Sequence, residues 1–140
     1  MNLNISTGVK EYDINGACTV YFNPTDINFV EKLFNAFETL DSKQEEYRNK
    51  ITSDVENTEA FRVMREADKT ARDTIDGLFG SDVCNSVFGS ISMLSGDGDG
   101  LPIWASFLLA IIDEMDEAFT REKKASNPRI KRYTEKYKKK

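Results

Sequence analysis

The run Leu-Pro-Ile-Trp-Ala-Ser-Phe-Leu-Leu-Ala-Ile-Ile at residues 101–112 is the feature that most constrains this chain. It is apolar on nearly every side of a helix and holds the only tryptophan, Trp104. A helix that is apolar all round must be wrapped by other elements. At about 12 residues it is too short for a bilayer, which takes roughly 20. The run therefore predicts a core pillar, with Trp104, Phe107, Leu108, Ile111 and Ile112 touching the helices upstream. Its continuation to Phe119, Asp-Glu-Met-Asp-Glu-Ala-Phe, is amphipathic and acidic, and the helix is expected to end near residue 123.

Upstream, two stretches of strand-forming residues flank Asn15-Gly16, a dipeptide that accepts the positive φ angles of a type I′ turn. A hairpin over residues 9–22 follows. A two-residue turn would set Ile14 opposite Ala17, Tyr12 opposite Thr19 and Val9 opposite Phe22. One face would then carry Ile14, Tyr12 and Tyr21, and the other Val9, Cys18, Val20 and Phe22. Because a lone hairpin is barely stable in water, this one must pack on something else. Residues 1–7 are expected to be a disordered start.

Pro24 and Thr25 open a helix over about 26–50, with Thr25 as N-cap and a buried stripe of Ile27, Val30, Leu33, Phe34, Phe37 and Leu40. Ser53-x-x-Glu56 has the form of a capping box and predicts a second helix over about 54–78. Ala60, Met64, Ala67, Ala71, Ile75 and Leu78 mark its inner side. An antiparallel pair results; one long bent helix over 26–78 is the alternative. Gly77 and Gly80 stop this helix, and Ser81 caps a short third one that turns Val83, Cys84, Val87 and Phe88 inward and ends at Gly89. Phe29 and Phe61 fall off the buried stripes, which makes both candidates for exposed apolar contacts.

The expected architecture is mainly α with an N-terminal β-hairpin (α+β): about four helices bundled around a central apolar helix at 101–123. One globular domain would cover 1–125, followed by a basic tail at 126–140. Charge is divided the same way. Residues 1–119 carry 9 Lys/Arg against 22 Asp/Glu, a net −13, and residues 120–140 carry 10 against 2, a net +8. Basic tails on acidic bodies suggest contact with acidic surfaces. Arg129, Lys131, Arg132, Tyr133 and Tyr137 are the tail's candidate contacts, since Tyr interleaved with Lys/Arg can stack and grip phosphate. A body of charge −13 repels phosphate, so nucleic acid is not the expected partner.

Little in the chain points to catalysis or metal. There is no His, which removes the commonest general base and metal ligand. Cys18 and Cys84 fit no metal or redox spacing and read as reduced thiols, with a bridge left open. Gly96-Asp97-Gly98-Asp99-Gly100 suggests a calcium loop, but the twelfth position from Asp97 is Leu108 where a bidentate Glu is needed. A flexible linker is the reading. No Gly-Lys-Ser/Thr follows, so it is not a phosphate loop. Asp113, Glu114, Asp116 and Glu117 crowd one segment, as solvent-side carboxylates of amphipathic helices do. No cofactor or metal is expected. The N-terminal stretch 1–7 is polar, without the apolar core of a signal peptide, so a cytoplasmic protein without a membrane segment is expected.

Several pieces together resemble the small tail assembly chaperones of long-tailed phages and prophages of Gram-positive bacteria. They are Tyr-Asp-Ile-Asn-Gly at 12–16, Tyr-Phe-Asn-Pro-Thr-Asp at 21–26, Leu-Phe-Gly-Ser-Asp-Val-Cys at 78–84 with Val-Phe-Gly at 87–89, and Gly-Leu-Pro-Ile-Trp at 100–104. The resemblance implies a non-enzymatic factor that coats the tape measure protein while tail tube subunits polymerise. Such a factor is displaced and is absent from the finished virion; self-association of the chain is also expected. In such families a frameshift near the gene's end makes a longer product, and the terminal Lys138-Lys139-Lys140 suits a slippery site. A regulatory or nucleic-acid-associated protein acting through its tail, and a structural virion component, are the alternatives.

Overall fold

The computed structural model describes the backbone of residues 1–138 and the side chains of residues 1–125 and Pro128. The order is β1 (Lys10–Ile14), β2 (Cys18–Phe22), α1 (Ile27–Lys50), α2 (Asn57–Phe79), α3 (Val83–Phe88) and α4 (Ile103–Lys138). This is the expected mainly helical α+β architecture with an N-terminal antiparallel hairpin.

The hairpin differs from expectation by one residue of register. Asn15 and Gly16 both take positive φ, 54° and 69°, and Ala17 donates to the carbonyl of Ile14 at 3.0 Å, as a type I′ turn requires. Ala17 is nevertheless left out of the ladder. Ile14 pairs with Cys18, Tyr12 with Val20 and Lys10 with Phe22. One residue of slip sends every β2 side chain to the other face. Tyr12, Ile14, Cys18, Val20 and Phe22 therefore share one apolar face, and Glu11, Asp13, Thr19 and Tyr21 face water. The expected register would have split the apolar residues between two faces, whereas the extra turn residue collects them on one.

That face lies on the helices through a run of rings. Tyr12 stacks on Phe22 at 4.3 Å between centroids, and Phe22 stacks on Phe29 at 4.6 Å. Phe79 tilts against Phe22 and Phe29, Phe107 meets Phe79 edge-on, and Phe88 meets Phe107. Offset and edge-on rings are the favoured aromatic geometries. Phe29 is thus a core residue, 8% exposed, and not a surface contact. The buried stripe of α1 is Phe29, Leu33, Ala36 and Leu40, while Ile27 and Phe34 face outward. The hairpin supplies the missing partner for Phe29, and no helical periodicity within α1 could indicate that.

The helix ends also differ in detail. Thr25 is held by the side chain of Asn23, and Asp26 is the N-cap of α1, accepting from the Asn28 amide at 3.0 Å. The Ser53 capping box does not form: α2 begins at Asn57, after a turn closed by the Val55 amide on Thr52. The break at 51–56 is real, so α1 and α2 are two helices joined as an antiparallel pair, bridged by Tyr47 Oη and Thr70 Oγ1 at 3.3 Å. Gly80, with φ of 66°, ends α2, and Asp82, not Ser81, precedes α3.

Trp104, Leu108, Ile111 and Met115 of α4 are buried. Trp104 meets Phe37 edge-on, and its indole N–H donates to Gln44 Oε1 at 2.8 Å, which satisfies the one polar atom of a buried ring. Phe107 reaches the end of α2 and α3. α4 does not stop near residue 123. Its backbone stays helical through Pro128 to Lys138, so the segment expected to be a separate tail continues the helix. No helix among the described residues is long and apolar enough to cross a membrane.

Candidate partner-binding groove

The second half of α1 is sparse in apolar residues, so α2 does not seal against it completely. Near their joining loop, an open slot of about 890 Å³ lies between the two helices and the 90–102 segment. Tyr47 and Ile51 form one wall, Phe61, Met64 and Arg65 of α2 another, and Leu94, Leu101 and Pro102 the floor and far lip. Phe61 is 58% exposed, Met64 44% and Leu101 41%. These are large apolar side chains with no cover in the monomer, and clustered exposure of this kind marks interaction sites.

The slot follows from the way α2 spends its surface. Val63, Ala67, Ala71 and Ile75 take the buried stripe at spacings of four residues. This rotates Met64 outward, although Met64 was expected inside. Phe61, Met64, Arg65 and Asp68 then form a second face at i, i+3, i+4 and i+7. Further along the helix that face is polar and holds the segment that floors the slot. Arg72 Nη2 donates to the carbonyls of Gly89 at 2.7 Å and Ile91 at 2.6 Å, while its Nε meets Asp68 at 3.2 Å. Asp68 accepts from the Met93 amide at 2.8 Å, and Asp76 accepts from the Cys84 amide at 2.9 Å. Met93 itself is fully buried and anchors the segment.

The glycine-rich stretch is a closed turn and not an unstructured linker. The Asp97 amide donates to the Leu101 carbonyl at 2.8 Å, and the Asp97 carboxylate accepts from the amides of Asp99 and Leu101. Those backbone donors hold its carboxyl below the usual carboxylate range. The turn presents Leu101 at the lip of the slot. The sequence pattern placed Leu101 in the core pillar, but the pillar begins at Ile103, two residues later.

A second cavity, about 580 Å³, lies between the hairpin, the Asp97 turn and α4. Tyr12 Oη donates to Glu114 Oε1 at 3.2 Å, and Arg121 donates to the same oxygen at 2.8 Å. Burial, and then the Glu114 charge, push the Tyr12 phenol up to about 12. Of the four acids at 113–117, only Glu114 lines this cavity; Asp113, Asp116 and Glu117 are exposed. Among the described residues no group of three or more Cys, Asp or Glu could hold a metal ion. Cys18 and Cys84 are both free thiols, Cys84 fully buried with its thiol pushed up to about 12 by burial and then by Asp76.

Of the candidate contacts, then, Phe61 stands at the slot and Phe29 in the core. Arg129, Lys131, Arg132, Tyr133 and Tyr137 are on the helical backbone of α4, and their side chains lie outside the described residues. Met64 and Leu101, which the sequence pattern assigned to the interior, join Phe61 at the surface. No family model, curated protein or solved structure matches the chain. The fold and the slot define the class: a mainly helical α+β protein with an open apolar groove between its first two helices.

Proposed function

We propose that this protein is a non-enzymatic, cytoplasmic assembly chaperone that holds a long helical partner through the slot between α1 and α2. The partner is the tape measure protein of a phage or prophage tail, and the tail tube protein joins it during assembly. The reading rests on the resemblance of residues 9–120 to small tail assembly chaperones. The observation that carries it is the uncovered trio of Phe61, Met64 and Leu101 around a groove of about 890 Å³. A tape measure protein is expected to be long, helical and apolar-striped. A helix of that kind presents anchors at i, i+3, i+4 and i+7, which an apolar groove accepts. Holding such stripes would keep the partner soluble until tube subunits replace the chaperone, which would then be absent from the finished particle.

Co-expression with tape measure fragments tests this. The wild-type protein should move the fragment into the soluble fraction and copurify with it. Phe61→Asp changes an exposed position, so the fold should survive while binding weakens about tenfold or more, as for a lost aromatic anchor. No gain in solubility and no copurification would sink the proposal.

A further inference from the structure

We propose that the C-terminal half of α4 docks on the outer face of α1 in a second copy of this chain. The proposal does not depend on the slot or on what fills it. The receiving surface is the side of α1 that the bundle leaves bare. Ile27, Glu31, Phe34, Glu38 and Asp41 follow one another at steps of three or four residues, and all are exposed. Ile27 is 64% exposed and Phe34 46%. Among the described residues, Glu31, Glu38 and Asp41 make no ion pair, whereas further along the helix Lys43 and Lys50 meet Glu46 and Arg48 meets Glu45. The face is an acidic stripe with two uncovered apolar anchors.

The α4 segment has the complementary character. Among the described residues of the helix Ala118 is the last that is buried, and residues 119–125 are all exposed. The backbone nevertheless stays helical to Lys138. From residue 120 onward the chain carries 10 Lys/Arg against 2 Asp/Glu. On a helical backbone, Phe119, Ile130, Tyr133 and Tyr137 fall on one side, because their separations are close to whole numbers of turns. This makes a basic helix with an apolar stripe. Helices draw most of their stability from packing an amphipathic face, so one that leaves its own body needs a surface elsewhere. The receiving stripe from Ile27 to Asp41 runs about 21 Å at about 1.5 Å per residue, within the roughly 29 Å of helix from Phe119 to Lys138. Pro128 removes one backbone donor, but the helix runs on through it, and a continuous helix does not reverse onto the outer face of its own α1. The receiving face must therefore belong to another molecule. Reciprocal docking gives a closed pair, and one-way docking gives a chain of copies.

Sedimentation velocity on the full chain tests this. The wild type should associate at about 0.1 M salt and come apart near 1 M, where the Debye length falls from about 10 Å to about 3 Å. Glu31→Lys with Glu38→Lys, and separately Lys131→Glu with Arg132→Glu, should each weaken association at least about tenfold with unchanged circular dichroism. The milder Glu31→Gln with Glu38→Gln should fall between. Mixing the two charge-reversed proteins should restore association, since each then offers the other a complementary surface. A wild type that is monomeric at the lower salt, reversals without effect, or a mixture that stays apart would each overturn the proposal. So would a wild type that binds duplex DNA through the tail without associating.

Discussion

Tyr12 shows how one side chain joins three parts of the molecule. Its ring stacks on Phe22 of the hairpin, and its hydroxyl reaches Glu114 of α4, which Arg121 holds from the other side. Burial and the neighbouring carboxylate favour the neutral phenol, so ionisation is deferred from 10.0 to about 12. In the unfolded chain the phenol ionises at its ordinary value. The contribution of this group is therefore fully present below about pH 10 and is lost as pH rises toward 12. An absorbance titration should show a late phenol that Tyr12→Phe removes. A titration curve unchanged by the substitution would contradict the Glu114 contact. Cys84 is a parallel case. Fully buried and with its thiol pushed up to about 12, it should stay unmodified by iodoacetamide in the native protein and react once the protein unfolds, as peptide mass analysis would show.

At the scale of elements, α2 does two jobs on two faces. Its inner stripe of Val63, Ala67, Ala71 and Ile75 seals the bundle. Its second face changes along its length from apolar at Phe61 and Met64 to polar at Asp68 and Arg72. The polar half grips the 89–93 segment and so sets the floor of the slot. Arg72 is only 18% exposed, and its guanidinium serves two backbone carbonyls at once. Arg72→Ala should lower stability by about 2 kcal/mol, the scale of lost hydrogen bonds from a charged donor. Urea denaturation measures that loss. Hydrogen exchange should quicken at Ile91 and Met93 well before it does in α1. Equal protection in the variant would mean that the segment holds its shape without Arg72. The antiparallel helix pair, the hairpin and the Gly80 stop were all legible in the sequence, because each depends on neighbours close in the chain. The hairpin register was not, because the Asn15-Gly16 turn by itself does not say whether Ala17 joins the ladder.

At the scale of the whole molecule, one cluster runs from Val20 and Phe22 through Leu33, Ile75, Val83 and Met93 to Trp104, Leu108 and Met115. No element has a core of its own. Unfolding should therefore be a single event, with Trp104 fluorescence and far-ultraviolet circular dichroism changing together in urea. Two separated transitions would divide the cluster. Leu33 is completely buried within it, and Leu33→Ala should cost about 2–5 kcal/mol by the same measurement. By itself the sequence determined the α+β class, the pillar of α4 around Trp104 and the separation of acidic body from basic tail. Those follow from local periodicity, turn chemistry and charge order, which neighbouring residues settle between them. Only the tertiary structure decided that Phe29 is core, that Met64 and Leu101 are surface, and that α4 runs on past Pro128. A side chain is buried when another element arrives to cover it. Phe29 has Phe22 and Phe79 against it, while nothing in the monomer covers Phe61, Met64 or Leu101.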